Sequence, residues 1–184
     1  MRRIVNSFIA AFILITSFYG CANAQSNLKI VIVRHGEKPD NGENLSCTGL
    51  NRSLKLPAVL TAKFGKPAYL FVPSLGMSKV TTHSRMYQTA TPMAVKYNLS
   101  INTNYGVKDS KEMGKDLEKL HGTVLVVWEH NSIMKLVKGL DVDTSNLDWP
   151  DNDYDSIWII TYKNGKASLQ KDKENIHPEA NCSF

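Results

Sequence analysis

The chain has 184 residues, 42% of them apolar and 21% charged, which is enough material to bury one core and excludes a disordered or fibrous chain. The formal net charge is +5, of which Arg2 and Arg3 supply two. So mild a charge, with no dense Lys/Arg run, excludes a nucleic-acid-binding surface and suits an anionic small ligand.

The first 24 residues read as a targeting segment. Arg2-Arg3 is a basic flank, Phe8 to Ile15 an apolar core, and Ala22-Asn23-Ala24 a small-x-small cleavage site that would leave Gln25 as the new N-terminus. The apolar core falls short of the about 20 residues needed to span a bilayer. The division expected is therefore a signal peptide at 1–24 and one domain at 25–184, in a secreted or periplasmic protein. Lipid attachment at Cys21, after Gly20, is the alternative, with anchoring in the cell envelope. The membrane enters only through the leader or that lipid. Removal of the leader leaves Cys47 and Cys182, which can pair in an oxidising compartment; a reactive thiol is the other reading.

Residues 28–33 are a β-rich apolar run, expected to form a buried strand with Arg34-His35-Gly36-Glu37 at its end. Pro39, Asn41 and Gly42 mark a loop. Thr48 is a candidate cap for a helix to Phe64, which Pro57 kinks or divides. A short strand follows at 69–72, then a polar loop, then a helix over about 85–97 bent near Pro92. A third strand is expected at 99–101 and an amphipathic helix at 110–120. The most apolar strand, 123–128, runs into Glu129-His130-Asn131 and a helix at 132–140. A strand at 157–162 turns through Asn164-Gly165 into a last strand at 166–169.

Strands alternating with helices, the early ones continuously apolar, predict an α/β fold: a three-layer αβα sandwich around a mainly parallel sheet, with an antiparallel piece at the end. Ligands bind such sheets at the carboxyl ends of strands. Arg34-His35 and His130 fall at two such ends, and Ser84-Arg85 follows a third. Two guanidinium groups can grip a phosphoryl group by paired hydrogen bonds. A neutral imidazole can attack phosphorus, and a second can steady the oxygens as charge moves. No metal or cofactor is needed, and no group of Cys, His, Asp and Glu has metal-ligand spacing.

These segments resemble the histidine phosphatase superfamily. Arg34-His35-Gly36-Glu37 is similar to its RHGE signature, and Ser84-Arg85-Met86-Tyr87-Gln88-Thr89-Ala90 to its second motif. Residues 124–130 resemble the strand leading to its second histidine, and residues 45–52 its leucine-threonine-x-x-glycine-x-x-arginine segment. The resemblance spans about residues 28 to 163. It implies a phosphoglycerate mutase-like fold, a nucleophile at His35, and Arg34, Arg85 and His130 completing a phosphate pocket.

The general acid stays open. Glu112, near Asp109, and Glu129, beside His130, are equal candidates; the position after His130 holds Asn131 rather than the Asp of one branch of the superfamily. Side-chain alternation along a strand would turn Glu129 away from His130, unless the strand end deviates. Glu37 is read as organising the pocket, Arg52 as a helix-surface residue, and His83 as rim, either touching substrate or solvated. His121 and His177 are read as exposed, and Trp128 as core. The activity expected is hydrolysis of a small-molecule or envelope phosphomonoester. The alternatives are a phosphate-binding protein without turnover and a phosphomutase, whose bisphosphate cofactor would be hard to maintain outside the cytoplasm.

Overall fold

Strand β1 (Lys29–Arg34) sends alternate side chains to opposite faces of the sheet, Ile30 and Ile32 into one core and Val31 and Val33 into another. Both faces are covered, which is why the run is continuously apolar. The computed structural model describes residues 27–182. The leader, its cleavage site and Cys21 lie outside the described residues. No helix among the described residues is long and apolar enough to cross a membrane.

After β1 come helix α1 (Cys47–Phe64), β2 (Tyr69–Phe71), a small hairpin of β3 (Gly76–Met77) and β4 (Thr81–Thr82), α2 (Ser84–Tyr97), β5 (Ile101–Asn102) and α3 (Ser110–Leu117). Then follow β6 (Thr123–Trp128), α4 (His130–Gly139), β7 (Ser156–Lys163) and β8 (Lys166–Lys173). The main sheet has the order β5-β2-β6-β1-β7-β8. Its first four strands are parallel; β7 and β8 are antiparallel to their neighbours. Helices α1 and α2 cover one face with Leu56, Leu60, Met86 and Met93. Helices α3 and α4 cover the other with Met113, Leu117, Ile133 and Leu136. The three-layer sandwich is thus the observed architecture.

Several local expectations are corrected. Ser46, not Thr48, caps α1, its hydroxyl accepting the amide of Gly49 at 3.1 Å. Helix α1 runs unbroken through Pro57, and α2 through Pro92. Strand β8 continues past Leu169 to Lys173: it is an edge strand whose alternation passes into polar residues, so apolar content marked only its first half. Asn164 and Gly165 both take positive φ, 52° and 73°, as a two-residue hairpin turn requires.

Cys47 and Cys182 form a disulfide, with their Cα atoms 5.1 Å apart. It ties the C-terminal segment to the start of α1.

The pairing of β1 with β6 positions the chemistry. Arg34 and Trp128 are register partners at the carboxyl ends of these parallel strands, so His35 and Glu129-His130 leave the sheet side by side.

Candidate active site

His35 is the first residue past β1, and it is 4% exposed. Its Nδ1 lies 2.7 Å from the carbonyl oxygen of Gly36, which only accepts, so Nδ1 carries the proton and Nε2 keeps its lone pair. Burial pushes the imidazole pKa down to about 4, opposed by the Gly36 hydrogen bond and reinforced by Arg34, Arg85 and Lys38. The ring is therefore neutral and nucleophilic at ordinary pH.

The turn after His35 is clamped on both sides. Gly36 N donates to Thr89 Oγ1 at 2.9 Å, and that hydroxyl donates to Arg85 O at 2.8 Å. A Cβ on Gly36 would sit 2.7 Å from the carbonyl oxygen of Gly49, so only glycine admits this approach of α1. Gln88 accepts from Leu45 N at 2.9 Å and donates to Asn44 at 2.8 Å. The Gln88-Thr89 pair thus holds the loops that flank His35.

Arg34 is 5% exposed. Its Nη1 donates to the carbonyl oxygens of Asp151 (2.5 Å) and Asp153 (3.3 Å), and Nη2 to the hydroxyl of Tyr154 (3.2 Å). Burial lowers its pKa, opposed by Tyr154, Asp151 and Asp153. Arg85 reaches the same cavity from the start of α2, its Nη1 donating to Gly42 O at 2.8 Å. The Nε atoms of both arginines are buried without a hydrogen-bond partner.

His130 opens α4, two residues earlier than the sequence suggests, because the backbone turns at Glu129 directly after β6. Its Nε2 donates to the carbonyl oxygen of Trp149 at 2.8 Å, and Nδ1 lies 3.2 Å from Asn131 Oδ1. Glu129 escapes the strand alternation and lines the cavity, its carboxylate accepting from Ser132 Oγ at 2.9 Å. Arg34, His35, Arg85, Glu129 and His130 border one cavity of about 350 Å³.

Glu112 is corrected as a site candidate. It is exposed on α3 and does not border the cavity, because that helix buries the opposite stripe of Ser110, Met113, Gly114 and Leu117. Asp109 instead accepts from Gly106 N. Arg52 is corrected too: it is 5% exposed, and its Nε and Nη2 grip the carboxylate of Glu37 at 2.8–3.0 Å. His83 neither borders the cavity nor faces solvent freely; it takes a left-handed backbone at the start of α2, with Nδ1 2.9 Å from Ser74 O. His121 and His177 are exposed and Trp128 is fully buried.

Sequence reasoning missed the segment 149–154, which closes one side of the cavity. Trp149 is buried against Trp158, ring centroids 4.8 Å apart, and donates Nε1 to Asp153 O at 2.8 Å. Against its burial, hydrogen bonds from Ser156, Asp155 and Lys173 hold the Asp153 carboxyl pKa down at about 2. Tyr154, in a stretch otherwise rich in Asp and Asn, was the one signal available.

No family model matches the sequence, and no curated protein matches it. Solved structures share its fold. The protein histidine phosphatase SixA complexed with tungstate has a TM-score of 0.57 at 16% identity, over 79% of this chain and 97% of that one. A phosphoserine phosphatase variant from Entamoeba histolytica, in complex with phosphoserine, has 0.53 at 13%, over 80% and 97%. Phosphoglycerate mutase from Bacillus anthracis str. Sterne has 0.53 at 13%, over 82% and 95%. These are histidine phosphatase superfamily proteins, and the chain has their phosphoglycerate mutase-like fold.

Proposed function

We propose that this chain is a phosphatase that hydrolyses a phosphomonoester through a phosphohistidine on His35, without a metal ion. The observation that carries the reading is the His35 ring, held by Gly36 with its Nε2 lone pair free in a cavity bordered by two arginines and a second histidine. The shared fold with phosphatases acting on phosphohistidine and phosphoserine agrees with it.

In the first step the Nε2 lone pair attacks phosphorus and the ester P–O bond breaks. The guanidinium groups of Arg34 and Arg85 and the ring of His130 stabilise the phosphoryl oxygens. The leaving alkoxide takes a proton from the carboxyl group of Glu129, which stands beside His130. In the second step the Glu129 carboxylate takes a proton from water, whose oxygen attacks phosphorus. The P–N bond breaks, its electron pair returns to Nε2, and inorganic phosphate leaves.

We also read the chain as exported. The disulfide between Cys47 and Cys182 supports an oxidising compartment, and the basic and apolar leader supports the route. N-terminal sequencing from the native host tests it: a start at Gln25 is expected, and an intact Met1 in the cytoplasm would refute it.

The test of function is turnover of an activated aryl phosphate with EDTA present. Phosphate release and an acid-labile, alkali-stable label on His35 are expected. Vanadate binding without any turnover would leave a phosphate-binding protein instead.

A further inference from the structure

We infer that Glu174 is a positioning residue for the reaction proposed above, on which this inference rests: it fixes, through Arg52 and Glu37, the turn that carries His35. Glu174 is the first residue after β8, and it is 2% exposed. Its Oε2 lies 2.7 Å from Arg52 Nη1, while Oε1 has no hydrogen-bond partner.

Stability alone explains this arrangement poorly. A buried ion pair is often no more stable than an apolar pair of similar shape, because both charges must be stripped of water. Here one guanidinium serves three carboxylates. Glu37 takes Nε and Nη2, Glu174 takes Nη1, and Asp155 lies 3.7 Å from the same Nη1. Burial raises the Glu174 pKa, with Arg52 opposing and Asp155 and Glu37 adding to the rise.

The geometry of the guanidinium gives the cluster a purpose. Its donors lie in one rigid plane, so holding Nη1 fixes the orientation of the edge that grips Glu37. Glu37 is two residues from His35, and its carbonyl oxygen accepts both the amide and the hydroxyl of Ser46, at 2.9 and 3.1 Å. Asp155 adjoins Tyr154, which lies against Arg34 and borders the cavity. Glu174 N also donates to Asp155 O at 2.7 Å. Arg52 therefore links the turn after His35 to the segment that carries Tyr154, and Glu174 holds Nη1, which sets how the guanidinium is turned.

The anchor for Glu174 is the C-terminal segment. Asn51 Nδ2 donates to Glu179 O and Asn181 O, each at 2.9 Å. Ile176 is buried in the core under α1 and α2, and Cys182 is bonded to Cys47. The segment is fastened to α1 at both ends, so the carboxylate of Glu174 meets Arg52 from a fixed base.

Glu174→Ala and Glu174→Gln test this in the full chain with its disulfide formed. The readouts are kcat and KM on p-nitrophenyl phosphate, the melting temperature, and the ring 15N shifts of His35. Alanine should lower kcat by about 10–100-fold with KM little changed, as a small misplacement of a reacting group does. Glutamine keeps the acceptor for Nη1 and should restore most of that loss. A lower melting temperature with unchanged kcat and unchanged His35 shifts would overturn the inference and leave a structural role. If the unmutated chain shows no turnover, the functional reading fails separately, and the shifts still decide. Altered His35 shifts in the alanine chain, restored in the glutamine chain, uphold positioning; identical shifts in all three sink it. If the alanine chain does not fold, Glu174→Asp, shorter by one methylene, takes its place with the same expectations.

Discussion

The guanidinium carbon of Arg34 lies 3.9 Å from the centre of the Tyr154 ring. The same tyrosine meets His35 edge-on, with ring centroids 6.1 Å apart. One aromatic ring thus contacts the two neighbouring residues proposed to grip and to attack phosphorus, Arg34 over its face and His35 in an edge arrangement. A desolvated cation–π contact is worth about 2 kcal/mol.

Tyr154→Ala should therefore raise KM, and weaken vanadate binding, by about 10–30-fold. Tyr154→Phe keeps the ring and loses only the acceptor for Arg34 Nη2, so a change of a few-fold at most is expected. Equal losses in the two variants would show that the hydroxyl matters and the ring does not. Calorimetric titration with vanadate reads this without turnover.

His35→Ala should abolish turnover and the phosphoenzyme while the chain stays folded. The pH dependence carries more information. The His35 pKa is depressed to about 4 by burial, so the acid limb of kcat/KM should fall near pH 4 rather than near 6.5. The linkage runs the same way. Between about 4 and 6.5 an unfolded His35 binds a proton that the folded one refuses, so its stabilising share is full above 6.5 and is lost as pH falls towards 4. His35→Ala should flatten that part of the stability curve. A limb near 6.5 in kcat/KM would mean that the ring is not desolvated as the structure has it.

Arg34, His35 and His130 were legible in the sequence because strand ends are legible, whereas Arg85, near the start of α2, was legible through the motif that residues 84–90 resemble. A continuous apolar run stops, and an ionisable residue follows at the edge where such sheets bind ligands. The rest was hidden for particular reasons. Trp149 and Asp153 meet the site through backbone carbonyls, which any residue possesses, so their side chains announce nothing. Asp151 brings both its carbonyl, to Arg34, and its carboxylate, 3.6 Å from His130 Nε2, from a loop whose sequence does not say where it folds. Arg52 reads as surface because guanidinium groups usually are; its burial depends on Glu37 and Glu174, 15 residues before it and 122 after. Glu129 and Glu112 could not be ranked because the sequence, which does end β6 at Trp128, places the next helix at 132; the helix opens at His130, and the turn at Glu129 brings that side chain to the cavity.

Thiol titration of the denatured full chain should find Cys21 alone reactive, since Cys47 and Cys182 are bonded. Cys182→Ser should lower stability by about 2–4 kcal/mol, the usual effect of losing a native cross-link. The C-terminal segment would keep its hydrogen bonds to Asn51 but lose the covalent tie to α1. Three reactive thiols in oxidised protein would rule the bond out.

The role given to Glu129 rests on its place beside His130 at the end of β6, bordering the cavity. A proton donor matters in proportion to how badly the leaving group needs the proton. Glu129→Gln should thus cut kcat/KM for an alkyl phosphate by about 10²–10⁴-fold, the usual worth of general acid catalysis. For p-nitrophenyl phosphate, whose phenolate leaves without help, the fall should be far smaller. The comparison belongs in kcat/KM because that ratio reports the steps up to loss of the alcohol and is blind to hydrolysis of the phosphohistidine. The second step shows separately: the glutamine variant has no base for the water, so labelled phosphoenzyme should accumulate on His35 with the aryl substrate. Glu112→Gln, changed on the exposed side of α3, should match the unmutated chain in both assays. Equal losses of kcat/KM on the two substrates would remove Glu129 from proton transfer and leave it a part in shaping the cavity.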